Sequence, residues 1–448
     1  MADAYFSIIV WTHNPNMDFF KNMLESIDDQ EYRNFELYIL DDAKDSVIER
    51  TIKEFYPDIV DKVHYRQLKK KDGGAYAYNI GSHFAEGDYF VYVGQHDRLN
   101  PNTLTELNLK ISSLSENGII YTDHDELVGL DRMNPHFKSD FNKELYLHTP
   151  YIGDFICISK EAYQKLGPFN EKARYAYIYE YVLRACSKKI KIEHIASLLY
   201  HERAKEKPIT KEAKAETNYA YKEYMALAQA HLNAEGVECQ VRGDGSYKKW
   251  IIDYDHSSFR RFGGDYMYFH EDNVRLYTRK NVERMYGYLL QPDVAVVGVR
   301  FIDRGFTFDN VGFIFDQEGI LYPAFHGKKI YQATYENLAS IPRDVAAVDA
   351  GCCLIDEKIY RKLGGFDTSL SGRDAMLDFC LRAKERGYRT IVVPEVVARY
   401  KKKDVITTEE SNSTLKEKHV EAFEAGDLLY NKNLPLGVDN YYLPGTEE

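Results

Sequence analysis

Three short apolar runs, each stopped by polar residues, pattern the first hundred positions. Ser7 to Thr12 is apolar through its middle and ends on His13-Asn14-Pro15. Phe35 to Leu40 is a second run and ends on Asp41-Asp42. Tyr89 to Val93 is a third, closing on Gly94-Gln95-His96-Asp97. Short β-rich runs separated by helix-length segments predict a parallel sheet. Open sheets of this kind bind ligands beyond the carboxyl ends of their strands. All three runs place polar groups at that edge, so a small-molecule site is expected there.

The alternation continues downstream. Pro101 to Leu114 predicts a helix, with Leu104, Leu107, Ile111 and Leu114 along one face. Strands are expected at 118–125, 156–159 and 194–203, a turn at Gly167-Pro168-Phe169-Asn170, and a helix over 179–187. Residues 206–236 are rich in Ala, Lys and Glu at helical spacing and predict a connecting helix, followed by a short strand-like run to Tyr254. Beyond it the pattern starts again. Gly264-Asp265-Tyr266-Met267-Tyr268-Phe269 repeats Gly87-Asp88-Tyr89-Phe90-Val91-Tyr92, and buried strands are expected at 294–300 and 348–355. No room lies between Tyr254 and Asp265 for counterparts of the first two strands, so the repeat is partial. The expected architecture is α/β throughout, with domains at 1–205 and 255–448 joined by residues 206–254.

The 448 residues are enough for two or three domains with substantial cores. A net charge of −12 argues against non-specific nucleic-acid binding, which depends on neutralising phosphates. Basic clusters are local, at Lys69-Lys70-Lys71 and Lys401-Lys402-Lys403, and are compatible with peripheral membrane association. The six cysteines form no C-x-x-C pair, and several sit inside apolar runs. Free buried thiols in a reducing cytoplasm are expected. The N-terminus leads straight into the first strand and no long apolar run follows, so neither a signal peptide nor a membrane-spanning helix is expected. The cytoplasm, including the inner face of the membrane, is the expected location.

The segments SIIVWTHNP, ELYILDDAKDS and GGAYAYNIGSHFAEGDYFVYVGQHDRLNP resemble family 2 inverting glycosyltransferases of the GT-A fold. Those enzymes usually show an S-I-I-x-P-T-Y-N start, a V-D-D-x-S-x-D strand end and a D-x-D after A-x-G-x-Y. Further on, YTDHDEL, PHFK, YIGDF and LYHER resemble the acceptor-side half of the polysaccharide-building members. The segments VDAGCCLI, GGFD and LDFCLR resemble the second half of tandem members. The resemblance implies a nucleotide-sugar donor such as a UDP-sugar, bound by Thr12, His13, Asp42, Asn79 and Gln95. It also implies Mn²⁺ or Mg²⁺, with His96 at the main ligand position and Asp97 and His201 assisting. The implied partner is a glycan or lipid-linked acceptor in surface-polysaccharide assembly.

The departures bear on the chemistry. Gly94 replaces the first acid of the D-x-D. Counting back from Arg184 puts Ile178 where related enzymes carry the base, and Met376 stands there in the repeat. Isoleucine takes no proton, so the base must be Glu180, if its helix starts late, or a relocated acid such as Asp123, Asp125 or Asp154. The alternative is a non-catalytic protein that binds glycan, nucleotide sugar or a partner glycosyltransferase. Self-association is also left open.

Overall fold

The computed structural model describes residues 3–43, 47–70, 72–204, 211–245, 249–259, 264–370, 372–401, 413–437 and 440–442. Lys71, Lys402 and Lys403 lie outside them. The chain divides into two compact units, Met1–Phe141 with Pro150–His231, and Asn142–Thr149 with Leu232–Glu448.

The first unit opens with β1 (Phe6–Thr12), α1 (Met17–Asp28), β2 (Phe35–Asp41), α2 (Val47–Phe55), β3 (Val63–Gln67), α3 (Gly74–Phe84) and β4 (Tyr89–Val93). It continues through β5 (Arg98–Leu99), α4 (Thr103–Ser113), β6 (Ile119–Val128) and β7 (Asp131–His136). Then come α5 (Lys143–His148), which belongs to the second unit, and β8 (Ile156–Ser159), α6 (Lys160–Leu166), α7 (Tyr177–Ser187) and β9 (Ile192–Arg203). The helix α8 (Lys211–Ala234) carries the chain across the unit boundary.

The sheet of the first unit runs β3-β2-β1-β4-β8-β6-β9-β5, with β7 beside β6. Strands β3, β2, β1 and β4 are mutually parallel, whereas β8 is antiparallel to both β4 and β6. The β1 run is buried on both faces because helices cover both sides of this part of the sheet, as a parallel sheet requires. Phe6, Ile8 and Val10 join Phe20, Met23, Leu24 and Ile27 of α1 in one core. The α1 residues recur at helical spacing, and the Asn16 side chain caps the helix by accepting from the amides of Asp18 and Phe19. On the other face α3 lies so close that a Cβ at Gly81 would come within 2.5 Å of Ile9 Cγ2 and 3.1 Å of Leu40 Cδ2. We expect Gly81→Ala to destabilise this unit. Its helix-propensity gain of about 1 kcal/mol is smaller than overpacking costs of about 1–3 kcal/mol against a fully buried β-branched neighbour. A higher urea midpoint would contradict this.

The second unit contains β10 (Cys239–Gly243), β11 (Trp250–Tyr254), β12 (Tyr266–His270), β13 (Val274–Leu276), α9 (Asn281–Leu289) and β14 (Val294–Ile302). Four short strands follow, β15 (Phe308–Asn310), β16 (Phe313–Phe315), β17 (Leu321–Pro323) and β18 (Arg343–Asp344). Then come β19 (Cys352–Asp356), α10 (Glu357–Lys362), α11 (Gly372–Glu385) and β20 (Arg389–Tyr400). Its main sheet has the order β12-β19-β14-β20-β13, with β15 beside β14. That is the order β4-β8-β6-β9-β5, with β7 beside β6, of the first unit. The pair directions agree as well, since β14 and β20 are parallel like β6 and β9.

Even a side-chain device recurs. Arg184 pairs with Glu180 and donates to the carbonyls of Leu166 and Pro168, while Arg382 pairs with Asp378 and donates to those of Leu363 and Gly365. The repeat therefore reproduces β4 onward. Among the described residues of the second unit no strands correspond to β1, β2 and β3.

None of the six cysteines is in a disulfide, and four of them are buried. No helix among the described residues is long and apolar enough to cross a membrane.

Candidate active site

The carboxyl ends of β1, β2 and β4 bring His13, Asp42 and Gln95 together. Asp42 is buried, and each of its oxygens has a donor. His13 Nδ1 lies 2.5 Å from Oδ1, and Trp11 Nε1 donates to Oδ2 at 3.2 Å. The Gln95 side chain accepts from the His13 amide at 2.8 Å, which ties the β4 turn to the end of β1. Thr12 is wholly buried, and its hydroxyl donates to Asp41. Asp42 is thus a rigid acceptor, while His13 keeps about half of its side chain in solvent.

Trp11 was not anticipated, although it stands where the resembled motif has proline. Its ring lies 3.0 Å from the position a Cβ on Gly74 would occupy, and Tyr177 Oη lies 2.6 Å from it. Gly74 is required for this approach of α3 to β1 and α7. Asn79 takes another part. It clamps the turn after α6, accepting from the Phe169 amide and donating to the Phe169 carbonyl and to Glu171.

The residues expected as metal ligands are engaged separately. His96 Nε2 accepts the Asn16 amide at 3.0 Å. Burial, and then the charge of Arg203, holds this imidazole below its ordinary pKa, so it is neutral. Asp97 accepts from the Tyr200 hydroxyl and from the Arg203 amide. His201 is buried, with Nδ1 2.7 Å from Asp125, which also takes Arg132. Among the described residues no three His, Cys, Asp or Glu side chains converge to hold a metal ion. The D-x-D position shows why. A Cβ on Gly94 would lie 2.0 Å from Asp97 Oδ2, so the Asp97 carboxylate fills the space of a side chain at 94. The ligand set present does not fit a divalent cation.

The four candidate bases differ in exposure, and Asp125 is buried and taken up by His201 and Arg132. Asp123 is wholly buried and holds His194 Nε2 at 2.9 Å and the Lys138 amide at 2.8 Å. Glu180 lies in the first turn of α7, which starts at Tyr177, and both its oxygens accept from Arg184. The helix does not begin late, so Glu180 does not move into the place of Ile178, which is buried. Asp154 is exposed. It immediately precedes β8, whose antiparallel pairing of Ile156 with Tyr92 sets it at the carboxyl edge of β4, level with Gly94. Its charge is felt by Tyr78, Tyr177 and Tyr224, whose hydroxyls burial already holds well above their ordinary pKa.

Residues 7–170 match the family model described as glycosyl transferase family 2. Over this region the chain is similar to family 2 glycosyltransferases. The protein y4gI of Sinorhizobium fredii, itself uncharacterized, is 22% identical over 87% of this chain and 52% of its own length. The O-antigen biosynthesis protein RfbC of Myxococcus xanthus is 27% identical over 44% of this chain and 16% of its own. The chain thus spans about half the length of the first relative and less of the second. Among solved structures, S. aureus TarS 1–349 in complex with UDP-GlcNAc is 19% identical, covering 51% of this chain and 67% of that one, with a TM-score of 0.41. The mannosyltransferase PcManGT of Pyrobaculum calidifontis, in complex with GDP-Man and Mn²⁺, is 17% identical over 52% and 76%, with a TM-score of 0.37. The family match and the sheet order of the first unit give it the GT-A fold, and the second unit repeats the latter half of that fold.

Proposed function

We propose that the first unit transfers a sugar from a nucleotide-sugar donor, such as a UDP-sugar, to a glycan or lipid-linked acceptor in surface-polysaccharide assembly. The observation that carries this reading is the convergence of His13, Asp42 and Gln95 at the carboxyl edge of the sheet, inside the family-matched region. Asp42 offers a fixed acceptor for a base N–H, and His13 offers an exposed ring edge beside it. The relation to an O-antigen biosynthesis protein supports the acceptor class. On this reading the protein works in the cytoplasm, where such donors are met, and the inner face of the membrane is included in that location.

Asp154 serves as the general base. It takes the proton of the acceptor hydroxyl as that oxygen bonds to the anomeric carbon, and the bond from that carbon to the nucleoside diphosphate breaks. Attack from the face opposite the leaving group inverts the anomeric carbon. The second unit, which repeats β4 onward without the base-gripping strands, serves acceptor recognition or the docking of a partner or second copy.

Calorimetry of the whole chain with UDP and GDP tests the donor assignment. Asp42→Ala is expected to weaken the bound nucleotide roughly ten- to a hundredfold, the size of a hydrogen bond to a charged group. Unchanged affinity would move the nucleotide elsewhere, including to the second unit. A non-catalytic role gains support from the buried Ile178 and Met376 at both base positions. Nucleotide-sugar binding with neither hydrolysis nor transfer to any acceptor would establish that role.

A further inference from the structure

The family's usual way of neutralising the donor diphosphate is a divalent cation, and the donor edge of this chain is built for something else. Arg203 ends β9, and its own amide fixes Asp97. Its guanidinium lies 4.2 Å over the Phe19 ring, and Phe19 packs edge-on to His96 at 5.8 Å. These contacts put the cation beside the β4 turn. One of its terminal nitrogens donates to the Gly129 carbonyl, but Nε is buried without a hydrogen-bond partner. Among the described residues the guanidinium forms no ion pair; the charge of Asp97 attracts it and that of Arg98 repels it. A buried, unpartnered N–H on a permanent cation is costly, and an anion relieves it.

His96 is arranged to the same end. Because Nε2 accepts the Asn16 amide, the ring proton sits on Nδ1. The imidazole then has no lone pair left for a metal and has one N–H to donate. Asp97, folded into the space above Gly94, is held by Tyr200 and the Arg203 amide.

We infer that the first unit holds the diphosphate of its donor without a divalent cation, using the Arg203 guanidinium and the Nδ1–H of His96. The inference rests on the donor-site reading above. Arg presents a fork of donors that matches phosphate oxygens, and its charge does not depend on a bound ion. The same pair would stabilise the nucleoside diphosphate as it leaves.

The test is calorimetry of the whole chain with UDP and GDP, once in excess EDTA and once with Mn²⁺, and with uridine and guanosine as phosphate-free probes. The nucleotide that binds is expected to do so equally, within about twofold, in both buffers. Arg203→Gln should weaken it by about tenfold or more in EDTA while leaving the matching nucleoside unchanged. Arg203→Lys should keep part of the affinity. Binding that needs Mn²⁺ overturns the inference and leaves the donor site standing. Loss of nucleoside and nucleotide affinity together in Arg203→Gln also overturns it, because Arg203 would then be supporting the fold. No binding in either buffer overturns the donor site, and this inference with it.

Discussion

Asp154→Asn is expected to slow glycosyl transfer by about 10²- to 10⁴-fold while nucleoside diphosphate affinity stays within about twofold. The substitution keeps the volume and removes the ability to take a proton. Of the four acids that could serve as base, Asp154 alone is both exposed and set at the carboxyl edge of β4. Asp123 is sealed behind His194 and the Lys138 amide. Glu180 braces its arginine one helical turn on, as Asp378 does in the second unit. Glu180→Gln should therefore act chiefly on stability, by loosening Arg184 from the turn at 166–168, with kcat changed much less. Single-turnover transfer at saturating donor separates the two variants. Full transfer by Asp154→Asn would exclude it as the base, and a large kcat loss in Glu180→Gln without destabilisation would restore Glu180.

The strands that position the donor edge were legible because each is a continuous apolar run that stops on polar residues. The partial repeat was legible for a related reason. The Gly-Asp-Tyr start of β4 recurs at β12, and too few residues precede β12 to form β1 and β2 again. Strand β3 was missed. Its sequence, Val-His-Tyr-Arg-Gln, has only two apolar residues, since an edge strand buries little on either face. The site was less legible than the fold. Arg203 and Trp11 act through partners far away in sequence, at Asp97 and Asp42. Gly94 read as a lost acid, but only coordinates reveal that Asp97 fills the space. Glu180 could be recognised as a brace only once the carbonyls after α6 were seen to meet Arg184. The transfer of residues 142–149 to the second unit left no mark in the local pattern, because it depends on side chains more than a hundred residues downstream.

That transfer leads to the largest expected effect on stability. Within the second unit Arg389 is held by Asp344 at 2.9 Å, by Asp293 at 2.8 and 3.0 Å, by Gln291 at 2.7 Å and by Glu144 of α5 at 3.4 Å. Asn142 and Asp344 exchange hydrogen bonds, and the Glu144 amide donates to the Asp344 carboxylate. Arg389→Met would leave Asp344 buried without a countercharge, beside a Glu144 that keeps only His148. Removing one partner from a buried network costs about 3–5 kcal/mol, so the unfolding transition of the second unit should move to markedly lower urea. Adding Asp344→Asn and Asp293→Asn should recover part of that loss, because fewer uncompensated charges remain. A midpoint unchanged in Arg389→Met would refute this account.

The pH dependence has a definite sign. Burial pushes the Glu144 carboxyl up, but the hydrogen bond and charge of His148, the charge of Arg389 and the Gln291 bond outweigh it and bring the carboxyl down to about 2. An acid whose folded pKa is depressed adds stability that is complete above its ordinary value, near 4.5, and is lost as pH falls toward 2. Asp344, which burial holds above its ordinary range, contributes with the opposite sign. Asp293, drawn down by Arg389 and Lys143 against the effect of burial, adds to the Glu144 term. The second unit of the wild-type chain should therefore lose stability between about pH 4.5 and 2. In Arg389→Met the part of that loss due to Glu144 and Asp293 should shrink, because their carboxyls rise part of the way back, still held down by His148 and Lys143. Urea midpoints measured across this range for both proteins decide the matter. Parallel curves would show that Arg389 does not govern the titration of the network.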